Sequence, residues 1–413
     1  MGGRALAEIV DVAVVGAGAA GIAAARRLRD AGRSVLLVEA LSRLGGRART
    51  EVVAGMPLDL GCGWLHSAER NPLAALAAAE GLELDRRDAA WGRQLEGLGA
   101  PDEVRTQAWQ AYEAFGRQLR TDPPESDRAG DAMAADDRWR PFVDALSGFM
   151  NGTATDRLSV RDFLAYDDAA SELNWRLPGG YGRFIAGLAD GLPAALGTRA
   201  TAVSEGRTVR VDTDRGPIEA RAAIVAVSTA ILAAGTIRFD AGVDAHLEAA
   251  GRLPLGLADK VFLSIADTEV LPPESHLLGR FDSACTASYY LRPFGRPVIE
   301  CFLGGTLARG LETEGKGAAT AFVTAELGAL LGARFARGLA PLVVTAWGRE
   351  PTILGAYSHA EPGAADARAV LAAPVSPRLV FAGEACSPHD FSTAHGAWQS
   401  GLAAADWIER GLS

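Results

Sequence analysis

Gly16-Ala17-Gly18-Ala19-Ala20-Gly21 is a glycine pattern suited to one kind of chemistry, the cradling of a dinucleotide pyrophosphate. The first glycine permits a tight turn, the second lets the pyrophosphate reach the backbone, and the third lets a helix pack closely on the preceding strand. Gly16, Gly18 and Gly21 stand at those places, and Glu39 follows where an acid accepts hydrogen bonds from the adenosine ribose. Arg43-Leu44-Gly45-Gly46-Arg47 then adds a second diglycine flanked by arginines. Such a second clasp suits a longer dinucleotide, FAD rather than NAD, with Arg47 near the pyrophosphate. Lys260 is the other residue that draws notice. Of 41 basic residues only Lys260 and Lys316 are lysines, as expected of a GC-rich coding sequence. A lysine retained beside Val261-Phe262-Leu263 invites a functional reading beside the ordinary one, a strand-end lysine reaching for water.

These groups need a strand, a turn, a helix and a second strand to position them. Ile9–Val15 reads as a buried strand, Ile22–Asp30 has helical spacing and stops at Gly32, and Val35–Val38 is a second strand ending at Glu39. That order is the context a G-x-G-x-x-G match requires. Asn71–Glu80 and Gln107–Arg120 read as helices, and Gly396–Arg410 as a closing helix. The polar, proline-containing stretch 121–131 reads as an exposed loop or mobile lid. Short strands are expected at Ala202–Val203, Thr208–Asp212, Ala222–Val227, Val261–Ile265, Val298–Leu303, Val343–Ala346 and Leu379–Ala382. Nucleotide-type elements at both ends imply a discontinuous dinucleotide-binding domain, in parts 1–78, 191–252 and 351–413. A second domain would be made by 79–190 and 253–350.

Composition narrows the classes further. The chain has 413 residues, 48% hydrophobic, enough to bury a core without staples. Cys62, Cys285, Cys301 and Cys386 are scattered, which argues against a disulfide scaffold and for a reducing cytoplasm. No metal-ligand spacing is present, so no metal is expected, and G-x-S-x-G is absent. A net charge of -10 offers no basic stripe to nucleic acid. The apolar stretch 222–237 is too short to span a bilayer, so a cytoplasmic bacterial protein without membrane partners is expected.

The clasp resembles the R-x-G-G-R segment of the flavin-containing amine oxidase superfamily, and the resemblance continues along nearly the whole chain. Leu58-Asp59-Leu60-Gly61-Cys62-Gly63-Trp64-Leu65-His66 is similar to the segment lying along the flavin. Pro178-Gly179-Gly180 is similar to the L-x-G-G turn, and Ala223–Val227 to the strand before a proline that is here Ser228. Phe381-Ala382-Gly383-Glu384 resembles the motif whose acid binds the ribityl chain, and Thr393-Ala394 through Gly401 the helix start under the flavin ring. Val203 occupies the place that touches adenine through its backbone. The cofactor contacts implied also include Ala20 in the first turn and Ala40 after Glu39. The resemblance implies an α/β fold, a Rossmann-like FAD-binding domain plus an α+β substrate-binding domain with a mixed sheet and helices.

It also implies roles at the reacting centre. Lys260 would hold a water near flavin N5, Trp347 would pack beside it, and Tyr357 would face the isoalloxazine. A second tyrosine of the family's aromatic cage is replaced by Thr393. Ala356 stands where monoamine oxidases carry the cysteine bound to flavin, so FAD would be held non-covalently. His66, in a W-x-H segment, would lie near the substrate's amine, though a structural histidine is the ordinary alternative. The implied reaction is hydride transfer from the carbon beside an amine nitrogen, giving an imine, with O2 as acceptor and hydrogen peroxide as product. A primary amine, secondary amine or polyamine is the expected small-molecule partner. An L-amino-acid oxidase would need an arginine for the carboxylate, a desaturase would leave Lys260 without a purpose, and a non-enzymatic flavoprotein is the alternative from another class.

Overall fold

The computed structural model describes residues 9–92, 95, 100–240 and 242–412, so the first eight residues of the expected dinucleotide-binding part lie outside it. The early strands are β1 (Val10–Val15), β2 (Val35–Val38), β3 (Thr50–Val53) and β4 (Met56–Asp59). A middle group follows: β5 (Ala194–Ala195), β6 (Ala200–Glu205), β7 (Val209–Thr213), β8 (Ile218–Val225) and β9 (Arg238–Phe239). The remainder are β10 (Ala258–Ile265), β11 (Ser275–Leu278), β12 (Ser288–Leu291), β13 (Val298–Gly304), β14 (Leu339–Val344) and β15 (Leu379–Phe381).

One sheet runs β5-β2-β1-β8-β7-β6-β9, with β15 joining β8. Its parallel centre, β5, β2, β1, β8 and β15, comes from three distant parts of the chain. Parallel strands need a crossover, and the helix Ala19–Asp30 between β1 and β2 supplies one. Alanine and glycine let that helix lie close against the sheet and against the closing helix Ala394–Leu412, and Ala20, Ile22, Ala24, Leu28, Ala404 and Ile408 share one core. Gly401 is required there, since a Cβ would lie 2.0 Å from the Ala20 oxygen.

The second sheet, β11-β12-β13-β10-β14, is antiparallel at every pairing, where a mixed sheet was expected. The hairpin links β11–β12 and β12–β13 are too short for a parallel crossover. One face of it packs on the helices Gly305–Glu314 and Lys316–Leu331 through Val261, Leu263, Cys301, Leu303, Leu307 and Val323. The other face carries Lys260, Glu300 and Phe302 to a cavity.

The 121–131 segment is a pinned loop rather than a mobile lid. Asp127 accepts from Ser159 Oγ at 2.6 Å, Gly363 N at 2.7 Å and Arg161 N at 3.0 Å, and Ala129 and Gly130 are buried. None of its residues lines the cavity. The helix expected over 107–120 runs from Asp102 to Thr121. Among the described residues, no helix is long and apolar enough to cross a membrane.

Candidate active site

The two glycine segments fold onto each other. Gly16, at φ +101°, leaves β1 in a conformation that favours glycine, and a Cβ there would meet the Ala226 oxygen at 2.6 Å. Gly45 N donates to Ala17 O at 2.8 Å, and a Cβ on Gly46 would sit 3.2 Å from the Gly18 Cα. Gly21 does not line the cavity; a Cβ there would lie 1.9 Å from the Gly16 oxygen, so its absence is what lets helix and turn pack.

Glu39 closes this turn from below. Its buried carboxylate accepts from Ala17 N at 2.7 Å and Leu41 N at 2.8 Å. Burial raises its pKa, and the N–H bonds from Leu41 and Ala17 only partly offset that. Two more cavity walls meet at Glu384, whose buried carboxylate accepts from Arg47 Nη1 at 2.9 Å, Ser358 Oγ at 2.6 Å and Ser392 N at 2.9 Å. Burial alone would raise the Glu384 pKa, but the charge of Arg47, the Ser358 hydroxyl and Arg368 bring it below the usual range. Arg47 also donates to Ala356 O at 2.5 Å, tying the second clasp to the segment before Tyr357.

These residues border a cavity of about 670 Å³. Its cofactor end is lined by Gly16, Gly18, Ala20, Glu39, Ala40, Gly45, Gly46 and Arg47. Gly61, Cys62, Gly63, Trp64, Gly383, Glu384, Thr393 and Ala394 continue the wall, and His66, Lys260, Trp347 and Tyr357 lie on it too. Three expected residues are not on this wall, Gly21 among them. Val203 has its backbone engaged in ladders with both β7 and β9, and Thr198, Arg199 and Ala200 line that end instead. The Arg43 guanidinium is drawn to Leu44 O at 3.3 Å and is away from the cavity.

A flavin dinucleotide fits these residues. A Cβ on Gly18 would have no atom nearer than the Gly45 oxygen at 4.0 Å, and the helix it starts has no side-chain cap. Its first-turn N–H groups are therefore left for an anion such as a pyrophosphate.

Lys260 is buried on β10. Its Nζ donates to the main-chain oxygen of Asp59 at 2.9 Å and lies 2.8 Å from Glu300 Oε1. Trp347 Nε1 donates to Leu60 O at 3.0 Å, so both side chains dock on consecutive carbonyls of one loop. That loop is held in turn by the Asp59 carboxylate, which takes Thr50 Oγ1 at 2.5 Å, Tyr181 N at 3.0 Å and Gly182 N at 3.1 Å. Behind the strand, Asp259 Oδ1 accepts from Thr345 Oγ1 at 2.7 Å and Trp347 N at 3.0 Å, fixing the turn that presents the indole.

The Tyr357 hydroxyl donates to Phe149 O, so it offers the cavity a ring wall rather than a proton. Thr393 Oγ1 donates to Asp390 O at 2.6 Å and accepts from Gly396 N at 2.9 Å, a local turn at the start of the closing helix. His66 Nδ1 lies 2.7 Å from Asn174 Oδ1, and Asn174 Nδ2 donates to Glu172 O at 3.0 Å. That orientation of the amide makes His66 Nδ1 the donor and leaves Nε2 with a lone pair. Desolvation lowers the His66 pKa to about 4, so the ring is neutral near pH 7.

Sequence reasoning missed Glu300, Trp91 and Tyr290 on the wall. Trp64 packs at a tilt against Trp91 at 4.4 Å and Tyr290 at 5.7 Å between ring centroids. No local pattern marks these residues; pairing β13 with β10 and β12 with β13 is what brings Glu300 and Tyr290 to the cavity face.

The pattern of the flavin containing amine oxidoreductases matches residues 19–408. Polyamine oxidase 3 of Oryza sativa subsp. japonica is 32% identical over 436 residues, covering 95% of this chain and 88% of its own. Polyamine oxidase 2 of Arabidopsis thaliana is 31% identical over 435 residues, covering 96% of this chain and 87% of its own. In fold, the chain is similar to a putrescine oxidase solved with bound putrescine, at a TM-score of 0.80 and 20% identity, over 98% of this chain and 99% of that one. A glycine cradle, a second clasp packed on it and a match over most of the length lead to one assignment: this chain belongs to the flavin containing amine oxidoreductase family and is an FAD-dependent amine oxidase.

Proposed function

We propose that the substrate is a diamine or polyamine, oxidised at a carbon beside nitrogen to an imine, with O2 as the acceptor. The charge on the cavity wall carries this reading. Arg47 is paired with Glu384 and Lys260 with Glu300, while Arg199 lies beside Thr198 and Ala200 at the opposite, dinucleotide end. Among the described residues, the arginine at the end bounded by Trp64, His66 and Tyr290 is Arg176, whose guanidinium lies 4.8 Å over the Trp64 ring and 4.9 Å over the Tyr290 ring. It is paired with Asp85 and Glu274, so it is not free to take an amino acid's carboxylate. That end has its lysine matched by Glu300, and at its edge the exposed acids Glu172 and Asp167, the latter paired with Arg120. A wall with this balance draws cations and repels carboxylates. The relatives named for polyamines and the putrescine-bound neighbour support the same reading.

FAD, when bound, supplies a two-electron acceptor that takes hydride and later passes electrons to O2. The chain's residues bind and orient. Gly18 and the helix N-terminus would receive the cofactor's phosphates, Glu39 would take the ribose hydroxyls, and Arg47 and Glu384 would hold it between those ends. Trp64, Trp347 and Tyr357 give flat walls that exclude water and attract an amine cation. Neutral His66 offers Nε2 to an amine N–H, which orients the nitrogen without adding a competing charge. Lys260 holds an N–H donor in the cavity for a water or for charge developing on oxygen. Attachment of FAD is non-covalent in this reading. The cavity's cysteine is Cys62, and burial pushes its thiol to about 12, which leaves it a poor nucleophile at pH 7.

Anaerobic mixing of the holoenzyme with putrescine, spermidine, spermine, a monoamine and L-amino acids tests the proposal. Flavin absorbance is expected to fall fastest with a diamine or polyamine. Bleaching by amino acids alone would overturn it. Precipitation in acid is expected to leave the yellow colour in solution.

A further inference from the structure

We propose that Glu300 is a positioning residue for Lys260: it takes one N–H of the ammonium, balances its charge, and with the Asp59 carbonyl aims the remaining N–H into the cavity. The proposal rests on the reading of Lys260 given above.

The sheet makes the pair. In the β10–β13 register Lys260 faces Phe302 and Phe262 faces Glu300, so Lys260 and Glu300 are diagonal neighbours on one face. Diagonal partners lie within reach of long side chains. Here the gap closes to 2.8 Å, with the Lys260 side chain only 7% exposed and that of Glu300 23%. The β12–β13 register sets Tyr290 beside Glu300 on its other flank, again on the cavity side.

An ammonium has three N–H donors and free rotation about its last bond. A single acceptor would leave it spinning. Two acceptors in fixed directions, Asp59 O at 2.9 Å and Glu300 Oε1 at 2.8 Å, determine where the third N–H points. Gly63 keeps that side open, since a Cβ there would lie 3.6 Å from Nζ. The Asp59 carboxylate is engaged by Thr50, Tyr181 and Gly182, and it is the Asp59 main-chain oxygen that Lys260 bonds. Charge gives a second reason for the pair. A cationic amine entering the cavity meets an ammonium already matched by a carboxylate, so its approach is not opposed by a bare positive charge.

A double-mutant cycle with Lys260→Met, read on purified holoenzyme, tests this. Glu300→Ala is expected to slow reoxidation of the reduced flavin by O2 about tenfold, the scale of one lost hydrogen bond to a charged group. In the Lys260→Met background the same change should have no further effect. Glu300→Gln keeps the shape and an oxygen acceptor, so its rate should lie between those of Glu300→Ala and the unmodified chain. The substrate-free midpoint potential of the bound flavin is the second readout, expected to rise in Glu300→Gln and to fall in Lys260→Met. Lys316→Met serves as the control for loss of a lysine and should move neither readout. If Lys260→Met changes neither rate nor potential, the reading of Lys260 itself fails. If Lys260→Met is impaired but Glu300→Ala is not, or if the two losses simply add, the Glu300 proposal fails alone. Should Glu300→Ala not fold, Glu300→Gln decides, and an unchanged potential there overturns the proposal.

Discussion

The indole Nε1 of Trp347 donates to the main-chain oxygen of Leu60, the residue next to the Asp59 oxygen that receives Lys260. Two side chains from β10 and the turn after β14 thus dock on one loop leaving β4, and the loop becomes the reference point for both. Trp347→Phe keeps an aromatic wall but removes the five-membered ring with its N–H, leaving a small void and a buried carbonyl without its donor, the lost donor alone costing about 1–3 kcal/mol. A lower melting temperature and slower reduction of the flavin by amine are expected. Thermal denaturation and anaerobic stopped-flow check both, and an unchanged melting point would show that Leu60 O finds another donor.

Glu39 holds Ala17 N and Leu41 N, and in the proposed role its remaining lone pairs would accept from a ribose. Glu39→Ala is expected to purify with markedly less flavin, because the Gly16–Gly18 turn loses its support as well as the ribose its acceptor. The ratio of visible to protein absorbance measures occupancy. Occupancy and affinity equal to the unmodified chain would refute the assignment.

Arg368 and Asp162 form a buried pair away from the reacting centre, with Nε–Oδ1 at 2.6 Å, Nη2–Oδ2 at 2.8 Å and side chains 3% and 2% exposed. The guanidinium lies 3.5 Å over the Phe391 ring and donates to Ser358 Oγ at 2.9 Å, next to Glu384. Removing one partner strands the other's charge, so Arg368→Met should cost about 3–5 kcal/mol. The double variant Arg368→Met with Asp162→Leu should recover much of that loss in chemical denaturation. A double variant no more stable than Arg368→Met would show that contacts other than the charge pair dominate.

A second cavity, of about 520 Å³, lies behind β10 and contains Asp259 and Glu312, with Arg49, Glu51, Arg349 and Glu350 around it. Burial, with the Asp259 carboxyl beside it, raises the Glu312 pKa to about 7, against the pull of Gly348 N–H and Arg349. An acid whose folded pKa is raised binds its proton more tightly in the native state. Its contribution to stability is therefore largest below about 4.5 and is lost as pH rises through about 7. Glu312→Gln should remove this slope. Melting temperatures of the two proteins are expected to converge in acid, with the variant gaining on the native chain between pH 5 and 8. Parallel curves across that window would show that folding does not raise the Glu312 pKa.

Much of the nucleotide site was legible because its chemistry is local. A tight turn, a close helix and an acid ending the next strand are demands on consecutive backbone, so Gly16, Gly18, Gly21 and Glu39 could be assigned from spacing alone. The second clasp was legible as a segment for the same reason, whereas the packing of Gly46 on Gly18 came only with the fold. Scarcity of lysine marked Lys260, although not what it touches.

What only the tertiary structure decided are the relationships across long separations. Lys260 and Asp59 are 201 positions apart and Trp347 and Leu60 are 287 apart, and no pattern in either segment specifies the other. Glu300 reads as one acid in an apolar strand; the β10–β13 register alone turns it toward Lys260, and a shift of one residue would face it away. Val203 lies off the cavity wall for a related reason. Its neighbours β7 and β9 consume its backbone groups, and a strand's pairing partners are set by the whole sheet rather than by its own residues. The 121–131 segment is the exposed loop its polarity suggested, but that Asp127 is pinned by Ser159, Arg161 and Gly363 depends on distant groups that local polarity cannot reveal. Backbone demands are written in neighbouring residues, whereas side-chain partnerships are settled only when the sheets and helices choose their registers.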